Sequence, residues 1–199
     1  MKTRILVKEG EYKLAKAFCM DAKIDAEELY CFLTGIDKVH LFLKANEEVD
    51  PETEKKYMEL IERRAQRIPL QHITGVQEFM GHTFKVSPDV LIPRQDTETL
   101  VLEAGRIIQQ NPQKKASLWE KIKGRGDWEV LDLCCGSGAV GISLAKMYSN
   151  IKVTAADISE AALKIAEENA ENLRTKVKFL QGDMFAPLGG KKFDMIVSN

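Results

Sequence analysis

Cysteine is sparse. Cys19, Cys31, Cys134 and Cys135 are the only four in 199 residues. A chain of this size and type does not draw a disulfide framework from so few. Cys134 and Cys135 are adjacent, so they cannot supply the two-residue spacing of a zinc knuckle. Histidine is rarer still: His40, His72 and His82 are scattered, with no His-x-x-x-His pair. These residues therefore mark no metal site and read as small buried thiols and ordinary histidines. An excess of one charge is missing too, since 29 Lys and Arg face 30 Asp and Glu for a net charge of -1. Nothing in that balance advertises nucleic acid, although a neutral total can hide a local patch. Apolar runs stop well short of the roughly 20 residues of a membrane span. The amino-terminal "MKTRILVKEGEYKLAKAF" has charges throughout and no apolar signal core, which sets the expectation of a cytoplasmic protein. Internal repeats and low-complexity segments are absent as well. What is present is an ordinary globular mixture, 44% hydrophobic and 30% charged, long enough for one or two domains with a proper core.

Residues 1 to about 70 have helical periodicity. "YKLAKAFCMDA" places Leu14, Ala17 and Phe18 on one helix face, and "DAEELYCFLTG" predicts a helix capped by Asp25 and stopped at Gly35. "DPETEKKYMELIERRAQR" predicts a helix with Asp50 as N-cap, Pro51 in its first turn and acids where the dipole favours them. Its basic end, Arg63, Arg64 and Arg67, reads as a solvated helix terminus in preference to a nucleic-acid patch. The pattern changes at Pro69. "VQEFMGHTFKV" predicts two short strands around a Gly81-His82 turn. "SPDVLIPRQDTETLVLEAGRII" predicts an extended piece ending at Pro93, then a helix capped by Asp96. Residues 111–127, polar and broken by Pro and Gly, predict a surface connection. After it the rhythm is strand, glycine turn, helix, strand, helix, strand, strand, the signature of a parallel α/β sheet.

"WEVLDLCCGSGAVGISLAKMY" carries the most chemistry. Val130, Leu131 and Leu133 form a buried strand, Gly136-Ser137-Gly138 a tight turn, and Val140 to Tyr148 a helix. Glycines there let a ligand approach the backbone and the helix N-terminus. Such a turn suits nicotinamide, flavin and methyl-donor enzymes alike, or a strand-to-helix turn with no ligand. Asp157 ends a second strand, "VTAADIS", about 20 residues later, where an acid can hold ribose hydroxyls; Ser159 then caps the next helix. "VKFLQGDMF" ends a third strand in Gly182-Asp183, where an acid can accept from an exocyclic amine such as that of adenine. Either aspartate alone also reads as a helix cap or turn residue. Three successive strand ends of this kind lie together on the carboxyl edge of a parallel sheet, where such sheets bind ligands.

"LDLCCGSGAVG", "ADIS" and "GDMF" resemble the S-adenosylmethionine site of Rossmann-like class I methyltransferases. With "PLQHITGVQEFMGHTFKV", "VLIPRQDTETLV" and "FDMIVSN", nearly the whole chain resembles the HemK/PrmC family, protein-(glutamine-N5) methyltransferases that modify peptide chain release factors. The resemblance implies an α/β fold in three parts: a helical substrate-recognition domain over 1–70, a β-hairpin and extended linker over 71–93, and over 94–199 the first four strands of an S-adenosylmethionine-binding domain. It implies S-adenosyl-L-methionine as cofactor and a release factor as protein partner, with no membrane and no direct nucleic acid. Gly136 and Gly138, with Cys134, Cys135 and Ser137, are expected to face the methionine part of the donor. Asp157 is expected at the ribose, and Asp183 and Met184 at the adenine. Asn199 is expected to be the catalytic Asn that hydrogen-bonds the substrate glutamine amide and borders the donor. Leu91 to Arg94 resemble the segment beside the transferred methyl.

Two departures from the family pattern stand out. The family has Gly where Cys134 stands; a small Cys is tolerated there if its φ is negative, and tight-turn packing is preferred over a redox switch for this pair. The Asn-Pro-Pro-Tyr motif is met only as far as Asn199, so the sequence reads as a fragment of low activity, with "FDMIV" an exposed apolar edge buried on both faces in the complete sheet. Rival readings are a nucleic-acid amino-methyltransferase, a ribosomal-protein glutamine methyltransferase, a non-catalytic release-factor-binding module and, weakest, a Rossmann dehydrogenase.

Overall fold

A computed structural model describes residues 1–111 and 128–199. The surface connection expected over 111–127 lies, apart from Asn111, outside the described residues. The chain forms two compact units, Met1–Gly75 and Val76–Asn199. Among the described residues no helix is long and apolar enough to cross a membrane.

The first unit is helical: α1 (Thr3–Lys16), α2 (Ala22–Thr34), α3 (Lys38–Leu43), α4 (Pro51–Ala65) and α5 (Leu70–Thr74). Its core gathers Leu6, Leu14, Leu29, Tyr57 and Ile61, with the Tyr30 and Tyr57 rings edge-to-face at 5.5 Å. Asp50 caps α4 by accepting from the Glu52 and Thr53 amides. Gly35 closes α2 in the left-handed region, φ 71°. Three expectations need correction. Phe18 does not belong to the buried face, because α1 ends before it: the Cys19 amide donates to Leu14 O and the Phe18 amide to Ala15 O. That is a Schellman closure with Phe18 in the left-handed position, φ 57°, and 79% exposed. Asp25 is not the cap of α2, whose N-cap is Asp21; it lies inside the first turn, buried, accepting from Arg64 Nε at 2.8 Å. The same pair shows that Arg64 is no solvated helix end. Residues 70–74 form helix α5, the last element of the first unit.

The second unit opens with a hairpin, β1 (Val76–Phe79) and β2 (His82–Lys85), followed by α6 (Gln95–Gln110). Its turn residues are Met80 and Gly81, both at positive φ (50° and 70°), the type I′ geometry that matches strand twist. His82 is the first residue of β2, not part of the turn. Glu98 of α6 holds the turn by accepting from the Met80 amide at 2.7 Å. Helix α6 begins one residue before Asp96; its N-cap is Arg94, without a side-chain cap. Then come β3 (Trp128–Leu133), α7 (Ala139–Met147), β4 (Ile151–Asp157), α8 (Glu160–Asn172), β5 (Val177–Gln181) and β6 (Met195–Ser198).

The sheet is parallel throughout, in the order β5-β4-β3-β6. The strands β3, β4 and β5 step one way from β3, and β6 returns to its other side, so the order reverses between β3 and β6. On one face Val130 and Val153 meet Val101, Ile142, Leu144 and the hairpin residues Phe79 and Phe84. On the other, Leu131, Leu133 and Ala156 lie under Leu188 and Phe193. The strand β6 is buried on one face only: Val197 is 3% exposed but Ile196 53%.

Candidate active site

Loops at a reversal of strand order diverge to opposite sides of a sheet and leave a crevice outside its carboxyl ends. The cleft of the second unit lies there, lined by Leu91–Arg94, Thr97, Asp132, Cys134–Ser137, Ala139, Val140 and Asn199. The strand β3 delivers Cys134 to Ser137 from one side, and β6 delivers Asn199 from the other, its last residue anchored by Ser198 Oγ donating to Leu133 O at 2.9 Å. The extended segment before α6 supplies Leu91 to Arg94.

The glycine loop is fastened to the neighbouring strand. The Cys135 amide donates to Ala156 O, and the Gly138 amide back to Cys135 O at 2.8 Å. Asp157, the last residue of β4, accepts from the Gly136 amide at 2.9 Å and from the Ser159 amide at 2.9 Å. A carboxylate has about four lone-pair directions, so two remain for a ligand hydroxyl. Gly138 could be nothing else: its φ is 76°, and a Cβ would lie 2.7 Å from Ile142 Cδ1. Around Gly136 a Cβ would meet nothing within 4 Å, so bare backbone there faces open space.

Cys134 needs correcting. Its φ is 59°, not negative, and its side chain is exposed; it takes the left-handed backbone that glycine adopts without strain. Its Sγ lies 4.0 Å from Sδ of Met184, which is itself half exposed with φ 47°. Cys135 is the buried member of the pair, and burial raises its thiol pKa. Asp183 follows β5, and its carbonyl accepts from the Ala186 amide at 2.9 Å, opening the short 3-10 turn Ala186–Leu188. Asp157, Asp183 and Met184 do not line the cleft itself; Asp157 reaches it through Gly136, and Met184 through Cys134. Asn199 does line it. Its Nδ2 donates to Thr97 Oγ1 at 2.7 Å, which turns the amide oxygen away from that contact and leaves it as the acceptor.

Two residues escaped the sequence reading. Asp132, between Leu131 and Leu133 in β3, is 3% exposed and accepts from the Gly141 amide at 2.7 Å. Burial pushes its carboxyl up to about 7, with the nearby Asp157 charge adding to the rise and the Gly141 hydrogen bond opposing it. An acid flanked by the apolar Leu131 and Leu133, just before the loop, was the available signal. Thr97 is buried behind Asn199; it stands in the "VLIPRQDTETLV" stretch that carries the family resemblance, which assigns it no individual role. Among the described residues no group of His, Cys, Asp and Glu could hold a metal ion.

Comparison with known proteins matches residues 6–75 to the PrmC N-terminal domain and 115–199 to the methyltransferase small domain. A release factor glutamine methyltransferase of Koribacter versatilis is 41% identical over 89% of this chain and 59% of its own length. One from Moorella thermoacetica is 37% identical over 100% of this chain and 66% of its own. The chain thus spans about three fifths to two thirds of these curated relatives. Among solved structures, the Thermus thermophilus 16S rRNA N2 G1207 methyltransferase, in complex with AdoMet and guanosine, is 26% identical over 62% of this chain and 31% of its own, at a TM-score of 0.45.

Proposed function

The chain belongs to the HemK/PrmC family of release factor glutamine methyltransferases, and from that premise we propose that its second unit holds S-adenosylmethionine and methylates a glutamine side-chain amide nitrogen of a peptide chain release factor in the cytoplasm. The carrying observation is the convergence of the β3 loop, Asp157 and the Thr97-held Asn199 on one carboxyl edge of the sheet. The residues fit the donor. Exposed backbone at Gly136 suits its methionine part, Asp157 keeps acceptor capacity for ribose, and Asp183 with Met184, just past β5, is assigned to the adenine. When bound, the donor supplies an electrophilic methyl on a sulfonium.

This chain's own residues contribute orientation. An amide nitrogen is a poor nucleophile because its lone pair is delocalised into the carbonyl. With the donor bound, the substrate nitrogen would take the methyl as the sulfonium leaves as a neutral thioether, and the amide proton would pass to solvent. Asn199 Oδ1, set by the Thr97 contact, accepts from a substrate N–H and turns the nitrogen towards the methyl; that is catalysis by positioning and differential transition-state binding. Asp132 sits beneath the loop, where a carboxylate favours a cationic ligand. The helical first unit is proposed to recognise the release factor.

The test is transfer of labelled methyl from S-adenosylmethionine to a purified release factor, with the site located by mass spectrometry. Label on a glutamine, absent with Asn199→Ala, supports the reading. Label on RNA or DNA in place of protein would refute it and favour the nucleic-acid amino-methyltransferase reading.

A further inference from the structure

We propose that Asn169 is a positioning residue of the donor site, locking the glycine loop and the hairpin-led wall of the cleft to a single helix; this rests on the donor-site reading above. Asn169 lies in α8, 1% exposed, outside the cleft itself. Its amide is fully employed. Oδ1 accepts from the Lys85 amide at 2.6 Å, and Nδ2 donates to Lys85 O and to Ser137 O, each at 3.0 Å. The first two bonds make the side chain a one-residue extension of the ladder at the end of β2. The third holds the carbonyl of the Ser137–Gly138 peptide, and so fixes the plane of the loop that faces the ligand.

The same face of α8 continues the hold. Ala162, Ile165 and Asn169 are spaced three and four apart, which aligns them on a helix. Ala162 and Ile165 pack with Val86 and Val90, the residues that carry the chain from β2 to Leu91. The N-terminus of α8 is capped by Ser159, two residues beyond Asp157. One rigid helix therefore fixes both walls of the cleft and directly follows the ribose acid. A buried asparagine is suited to this because it can accept and donate at once; serving two backbones needs both amide hydrogens. An aspartate of the same shape keeps the acceptor for the Lys85 amide but turns an oxygen on the Lys85 and Ser137 carbonyls.

The test compares Asn169→Asp with Val153→Ala, a core change towards the start of β4 with no polar partner to lose. Each is studied in the full 199-residue chain by thermal melting, isothermal titration with S-adenosylhomocysteine, and hydrogen exchange. Asn169→Asp should weaken S-adenosylhomocysteine by about tenfold or more, the scale of a misplaced positioning group, while Val153→Ala changes it little at a similar loss of melting temperature. Without ligand, Asn169→Asp should speed exchange in both 135–138 and 86–90 and leave β5 unchanged. Faster exchange on one side only, or equal weakening by Val153→Ala, overturns the proposal. If the wild-type chain binds no S-adenosylhomocysteine, the donor-site reading fails, and the ligand-free exchange still decides whether Asn169 couples the two walls.

Discussion

Asp132→Asn isolates one buried charge. The wild-type carboxyl is moved from an ordinary 3.8 to about 7 by burial. At about 1.4 kcal/mol per unit, a rise of about three units corresponds to about 4 kcal/mol, an upper bound because the unit can relax around the charge. The sign follows from linkage: an acid with a raised folded pKa binds more protons folded than unfolded, so stability falls as pH climbs from about 4 to about 7 and is level above. Asparagine keeps an oxygen to accept from the Gly141 amide but does not ionise. Its extra NH2 adds a constant penalty of about 1–3 kcal/mol if unpartnered, so the slope is diagnostic and the offset is not. Both tryptophans follow residue 75 in the sequence, and Trp128 stands in β3, the strand that carries Asp132, so urea denaturation followed by tryptophan fluorescence reports on the unfolding around Asp132. Between pH 4 and pH 8 the stability of Asp132→Asn should gain on wild type by up to about 4 kcal/mol. Parallel curves across that range would refute the burial argument.

Cys134→Gly removes a side chain from left-handed backbone, φ 59°; relief of about 1–2 kcal/mol of strain, offset in part by greater unfolded-state freedom, should raise stability by about 1 kcal/mol in the same urea assay. Gly138→Ala combines positive φ with a Cβ 2.7 Å from Ile142 and should cost about 2–4 kcal/mol; a melting temperature within error of wild type would contradict the loop geometry. In the first unit, Arg64→Ala strands the buried Asp25 carboxylate and should destabilise by about 3 kcal/mol, read by far-UV circular dichroism. Arg64→Lys, which keeps the charge, should cost less.

The elements that carry their own punctuation were legible in the sequence. Asp50-Pro51 announced α4, Gly35 ended α2, and alternating glycine turns and apolar strands gave a parallel sheet with Asp157 at a strand end. What failed were positions decided by tertiary context. Asp25 and Asp96 have the chemistry of N-caps, yet each helix starts upstream because packing, and for Asp25 the Arg64 partner, outweighs local capping. Phe18 continues an apolar stripe, but a Schellman closure ends the helix first, with Phe18 itself in the left-handed region. The sequence reading made tolerance of Cys134 conditional on a negative φ, because non-glycine residues avoid the left-handed region; the loop's hydrogen bonds to β4 impose a positive φ regardless. Asp132 and Asn169 were hidden because a polar residue's burial depends on a partner far along the chain: Asn169 finds Lys85 and Ser137 only once α8 has docked. The strand β6 read as an apolar edge left exposed in this chain, and Ile196, 53% exposed beside a buried Val197, agrees with that reading.

The proposed S-adenosyl donor site lies on the carboxyl edge of this sheet, with Asp157 holding the ribose. Titrating S-adenosylhomocysteine into the wild-type chain and into Asp157→Ala, with NAD as competitor, tests it most directly. Saturable one-to-one binding, lost with Asp157→Ala and indifferent to NAD, is the predicted result; no binding, or displacement by NAD, would contradict it.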